Sequence, residues 1–248
     1  MKKSKLNQNI KISDGNIKLQ ENDKDAFIIF NLIATKTCPY ATNECKKICH
    51  ERFSQEINKK VMTARVNNFE ESKKETFVKD MIDCIEYQLN RKKYNNKHIY
   101  FRIHSAGDFY SKEYFNKWIE ITKYFKDNDR IDFQAYTKSL PFLEGEDLKD
   151  INIKLVFSVM VDTPEEQTKK AKDMELQCFI PVRNAEDKEG FKCSGKCLKC
   201  KACYTQNNIK DIYISYHGSR NVKSNIKVKK EKKYYKNITG DWNKEKAN

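Results

Sequence analysis

The feature that most narrows the fold of this chain is an alternation. Six short apolar runs, at 26–34, 98–103, 131–136, 153–161, 176–182 and 211–216, are separated by stretches that carry helix or loop signals. Runs of this length, apolar on both sides and rich in β-branched and aromatic residues, fit strands buried on two faces. Helical spacing appears between them. Phe77, Val78, Met81, Ile82, Ile85 and Leu89 share one helix face within 55–93, and a break is expected between Asn68 and Lys74. Ser111 caps a helix whose apolar face carries Phe115, Trp118, Ile119, Thr122 and Phe125. Thr163-Pro164-Glu165-Glu166 opens another, and a short helix is expected from Pro141 to Lys149. Strands alternating with helices at this spacing predict an α/β fold: a parallel sheet with helices outside it, either an open doubly wound sheet or a partial barrel. In both, ligands gather at the carboxyl ends of the strands. His104, Ser105, Gly107, Asp108, Thr137, Lys138, Asp162, Arg183 and His217 stand at those ends.

The nine cysteines carry the chemistry. Cys38, Cys45 and Cys49 follow the first strand, and Cys193, Cys197, Cys200 and Cys203 follow the fifth. In a reducing compartment such clusters are metal ligands or catalysts rather than disulfides. Three thiolates can hold three irons of a four-iron cluster and leave the fourth open, and soft sulfur ligands suit iron–sulfur or zinc alike. His50 is the nearest fourth ligand for a closed zinc site, yet it adjoins Cys49 too closely for both to bind one ion comfortably. The compact second group reads as a ferredoxin-like loop holding a second [4Fe-4S] cluster, with zinc as the alternative metal. Cys178 reads either as a buried strand residue or as an extra ligand, and Cys84 as a small core residue.

Net charge is +14, and half of it comes from residues 219–248, where ten Lys and Arg face three Asp and Glu. This tail is a candidate for binding nucleic acid, against the simpler reading of a solvated tail. No run reaches the roughly 18 apolar residues that span a bilayer, and the basic start leads into no apolar segment, so a cytoplasmic protein without membrane contact is expected. The expected organisation is a lead-in or short hairpin over 1–25, a metal-binding (β/α) domain over 26–218 with a cysteine-rich segment at 178–206, and the basic tail over 219–248. No nucleophile motif, phosphate loop or dinucleotide fingerprint points to another enzyme class.

Two blocks carry a family resemblance. Thr37-Cys38-Pro39-Tyr40-Ala41-Thr42 with Cys45 and Cys49, and Arg102-Ile103-His104-Ser105-Ala106-Gly107-Asp108-Phe109 with Tyr114 and Trp118, resemble the gene product 88 family of phage and mobile-element proteins. Ala135-Tyr136-Thr137-Lys138-Ser139 and the C-terminal cysteine run extend the likeness over about 26–217. More remotely, three cysteines after the first strand and Ser105-Ala106-Gly107-Asp108 after the second resemble the radical-SAM enzymes. The cysteine intervals are wider than is usual there, and Ile48 stands where an aromatic residue precedes the last cysteine. That likeness implies a partial (β/α) barrel of about six parallel strands and a [4Fe-4S] cluster on Cys38, Cys45 and Cys49. It also implies S-adenosylmethionine (SAM) as cofactor, with Asp108 on the SAM amino group, and an auxiliary cluster on the second group. Ser105, Gly107, Tyr136, Lys138, Ser158, Arg183 and His217 would line the cofactor pocket. The substrate is not implied.

Overall fold

The computed structural model describes residues 6–15, 21–182, 184–205 and 211–215. The expected roles of Arg183, His217 and the basic tail at 219–248 therefore lie outside the described residues.

Eight strands form one sheet: β1 (Ile12–Asp14), β2 (Asp25–Phe30), β3 (His98–Ile103), β4 (Ile131–Thr137), β5 (Lys154–Ser158), β6 (Gln177–Val182), β7 (Phe191–Lys192) and β8 (Ile212–Ser215). Their order is β1-β2-β3-β4-β5-β6-β8-β7. Only β1 runs antiparallel to its neighbour. Each of the six long parallel strands lies beside its predecessor. Among these six the order never reverses, which separates this sheet from the doubly wound alternative. The six expected strands are all present, trimmed at their ends where the apolar runs continue into turns. The lead-in contributes β1 rather than standing apart, and both additional strands are short edge pieces.

Seven helices cover the chain up to the cysteine-rich segment and within it: α1 (Asn43–Lys47), α2 (His50–Ile57), α3 (Lys59–Lys73), α4 (Phe77–Leu89), α5 (Lys112–Tyr124), α6 (Glu165–Asp173) and α7 (Cys197–Cys200). An eighth, α8 (Ala202–Thr205), closes that segment. The break expected between Asn68 and Lys74 comes at the end of that range, where Lys74 caps α3 before α4 begins at Phe77. Asn68 stays helical because its buried amide has tertiary work: it accepts from the Lys11 amide at 2.7 Å and donates to the carbonyls of Lys11 and Asn31 at 2.9 Å. The helix expected after Pro141 shrinks to a single 3₁₀ turn at Leu140–Phe142.

The period of two along each strand divides the sheet into two faces. Ala26, Ile28 and Phe30 of β2, with Ile99, Phe101 and Ile103 of β3, face α4 and α5 and make the main core with Phe77, Met81, Phe115 and Trp118. Trp118 is fully buried, edge-on to Phe30 at 5.6 Å and tilted against Phe101 at 5.8 Å. The opposite face carries Phe27, Ile29 and Tyr100, which pack against Tyr204 of α8 and against Cys197, Leu198 and Cys203. Thus helices cover one side of the sheet and the cysteine-rich segment covers the other. Lys201 fastens that segment, with Nζ 2.6 Å from Asp25 and 5.3 Å from the centre of the Tyr100 ring. Among the described residues no helix is long and apolar enough to cross a membrane.

Candidate functional site

The loops after β2 and β3 are stitched together. Asn31 Oδ1 accepts from the amides of Ser105 and Ala106, both at 2.8 Å, and the Leu32 amide donates to the Ala106 carbonyl at 2.9 Å. The Asp108 amide reaches the Thr37 carbonyl at 3.1 Å. Gly107 sits where the loops touch. Its φ is +89°, and a Cβ there would lie 2.7 Å from both Leu32 Cβ and Thr37 Oγ1. Only glycine fits this approach. The stitching sets Cys38, directly after Thr37, beside the Ser105–Asp108 turn. Further along, Thr42 caps α1 by accepting from the Cys45 amide, and Asp162, beyond β5, accepts from the Glu44 amide at 2.8 Å. The cysteine loop is thereby tied to three strand ends.

These loops surround a cavity of about 420 Å³. Cys38, Cys45 and Cys49 line it from one side, and Cys193 and Cys197 reach it from the cysteine-rich segment. Six further expected residues, Ser105, Gly107, Asp108, Tyr136, Lys138 and Ser158, are in its wall. Cys203 stands just behind: the Tyr136 hydroxyl donates to its Sγ at 3.1 Å. Cys200 lies on α7 outside the wall.

Cys178 is elsewhere. It is fully buried with Leu140, Phe157 and Ala171 on the helix side of the sheet, while its neighbour Phe179 faces the cavity. Strand alternation therefore makes Cys178 a core residue, and its expected role as a ligand does not fit this position. Cys84 is likewise in the core, as expected.

Burial pushes the Cys38 thiol well above its ordinary range, helped by the nearby Asp108 carboxylate. Burial also raises Cys45 and Cys49. It lifts Cys203 to about 11, against the Tyr136 hydrogen bond, which favours the thiolate. Such thiols hold their protons at neutral pH unless a metal displaces them. Asp108 is buried and its pKa is raised to about 6, although it accepts from Thr137 Oγ1 at 2.7 Å, the Phe109 amide at 2.7 Å and the Lys138 amide at 2.8 Å. It clamps β4 to the turn after β3. Lys138 is 6% exposed and donates to the Ser158 carbonyl; burial lowers its pKa, with Cys45 and Asp108 pulling the other way.

His104 is buried at φ +69°, with Nε2 2.8 Å from the Tyr114 hydroxyl. Burial, reinforced by Arg102, depresses its pKa to about 3, so it is neutral. Its Nδ1 and the Ser105 hydroxyl, both in residues of the cavity wall, have no hydrogen-bond partner among the described residues. Arg102, not singled out from sequence as a site residue, also lines the cavity. Its signal was the one Lys or Arg in the strand His98–Ile103.

Among the described residues no three His, Cys, Asp or Glu side chains are grouped so as to hold a single metal ion. One zinc ion needs its thiolates at about 2.3 Å, crowded around a single centre. The lack of such a grouping holds for Cys38, Cys45 and Cys49 as it does for Cys193, Cys197 and Cys203.

Comparison with known proteins gives a consistent answer. The model of a family described as gene product 88 matches residues 4–206. The chain is 26% identical over 171 residues to the Gene 88 protein of Mycobacterium phage D29, covering 65% of this chain and 68% of that protein. It is 28% identical over 135 residues to the Gene 88 protein of Mycobacterium phage L5, covering 51% of this chain and 53% of that one. No solved structure gives a significant match.

Proposed function

The chain belongs to the gene product 88 family, and from that premise we propose that it is an iron–sulfur enzyme that uses SAM, on a partial barrel of the radical-SAM kind. One observation carries the reading. Cys38, Cys45, Cys49, Cys193, Cys197 and the Ser105–Asp108 turn all line one cavity, beyond the carboxyl ends of consecutive parallel strands. The first strand followed by three cysteines and the second followed by a glycine turn is the order such enzymes use. The uninterrupted succession of six parallel strands is also that of a barrel segment.

In this reading Cys38, Cys45 and Cys49 would hold a [4Fe-4S] cluster. Cys193, Cys197 and Cys203 belong to a second centre. When bound, the first cluster would supply, from an external reductant, the electron for reductive cleavage of SAM. The chain's own residues do the rest. The Ser105–Gly107 turn receives SAM beside the cluster. Lys138 sets a positive charge near the Cys45 thiolate. Asp108 holds that turn against β4 through its three hydrogen bonds, more than it contacts the amino group of SAM. Tyr136 and Ser158 close the wall and exclude water. The alternatives are a zinc-dependent nucleic-acid-binding protein, which the net charge favours and the lack of a recognisable binding motif weakens, and a non-catalytic iron–sulfur protein.

Anaerobically purified protein, reduced with dithionite and given SAM, tests this. The proposal expects 5′-deoxyadenosine from the wild type and none from Cys38→Ala. A colourless protein carrying stoichiometric zinc, with no product, would overturn it.

A further inference from the structure

Arg102 occupies an inward position of β3, paired in register with Ile29 and Gln134. Its guanidinium lies over the Tyr136 ring, 4.6 Å from the centroid, and its Nε donates to the His104 carbonyl at 3.3 Å. Stacking and that bond fix the plane of the fork; among the described residues its terminal nitrogens make no hydrogen bond, and its charge acts on Cys203 and Tyr204. Among the described residues no carboxylate lies within ion-pair distance of it. The carboxylate in the cavity wall, Asp108, is occupied by Thr137, Phe109 and Lys138. Lys138, a buried cation in the same wall, is committed to Ser158.

One neutral polar group in the same wall is also uncommitted: the Ser105 hydroxyl lacks a partner among the described residues. The His104 ring points away, into the helix-side core among Phe30, Phe109, Tyr114 and Trp118. A fixed guanidinium fork beside a hydroxyl matches an oxyanion, which accepts from two nitrogens at once. A carboxylate or phosphate satisfies these donors; an apolar group would desolvate the guanidinium without giving it a partner.

We propose that Arg102, with Ser105, is an oxyanion subsite of this cavity, and that the substrate carries a carboxylate or phosphate bound there. The inference rests on reading the cavity as the working site, but not on the identity of the metal. The same chemistry could come from the carboxylate of SAM, so the test separates the two sources.

Inorganic phosphate is titrated calorimetrically into the anaerobically purified full chain and into Arg102→Gln and Arg102→Lys. SAM and decarboxylated SAM are titrated in parallel. Losing a charge-assisted fork should weaken phosphate about tenfold or more in Arg102→Gln. Arg102→Lys should retain the fold and iron content with an intermediate loss. SAM affinity should change less than about twofold, within the span of a weak polar contact. Three results would each overturn the proposal: no saturable phosphate binding by the wild type, equal binding by all three proteins, or a loss confined to SAM and absent for its decarboxylated form. Loss of iron from Arg102→Gln with phosphate affinity unchanged would also overturn it, leaving Arg102 as a counter-charge to thiolates. Failure of the iron–sulfur reading shows separately, as a wild type without iron, and leaves the phosphate titration readable.

Discussion

Replacing His104 with asparagine should change how stability responds to acid. The ring is enclosed by Phe109 at 5.3 Å, Tyr114 at 5.7 Å, and Phe30 and Trp118 at 6.4 Å, so the folded protein resists charging it. Its pKa falls from 6.5 to about 3. The unfolded chain takes up a proton below pH 6.5, while the folded chain does so only near 3. The unfolded state therefore binds more protons across this window, and stability drops as pH falls through it. At about 1.36 kcal/mol per pH unit, the loss between pH 7 and pH 5 attributable to His104 is about 2 kcal/mol. Asparagine tolerates the positive φ and does not titrate, so His104→Asn keeps the backbone while removing the linkage. The variant should carry a constant cost of about 2–4 kcal/mol for the lost packing. Urea unfolding of both proteins at pH 7 and pH 5 reads the difference of differences. The wild type should lose about 2 kcal/mol more than the variant over that interval. Equal losses would refute the idea that the buried ring is held neutral.

Gly107→Ala forces a Cβ to 2.7 Å from Leu32 and Thr37 at a positive φ, and should cost about 2–4 kcal/mol in chemical denaturation. Gly145→Ala, at φ +80° with nothing within 4 Å, is the control and should cost only about 1–2 kcal/mol. Tyr136→Phe removes the hydroxyl that donates to Cys203 Sγ, which should shift the reduction potential of the second centre to more negative values with iron content unchanged; an unmoved potential would separate Tyr136 from that centre. Cys178→Ser should lower stability by about 1–3 kcal/mol through a polar atom in an apolar core, and leave metal content intact.

Much of the fold was legible because burial on two faces writes continuous apolar runs, and all six long parallel strands are such runs. β1 and β7 escaped notice because edge strands of two or three residues bury too little to leave a pattern. Asn68 misled in the opposite direction: a poor helix former was retained inside α3 by three hydrogen bonds that only the folded chain supplies. At the site, spacing in sequence picked out both cysteine groups and the Gly107 turn. It could not distinguish Cys178 from Phe179, because which face of β6 turns inward depends on the register with β5. Arg102 was visible as an anomaly, but its isolation from carboxylates is a property of the packed sheet.

The account turns on a metal centre held by Cys38, Cys45 and Cys49. Iron and acid-labile sulfide, measured per chain together with the visible spectrum after anaerobic purification, address it directly when the wild type is compared with a Cys38→Ala/Cys45→Ala/Cys49→Ala variant. The account predicts a brown wild type, with iron and sulfide falling by the content of one cluster in the variant and the fold retained by circular dichroism. Equal iron in the two proteins, or none in either, would contradict it.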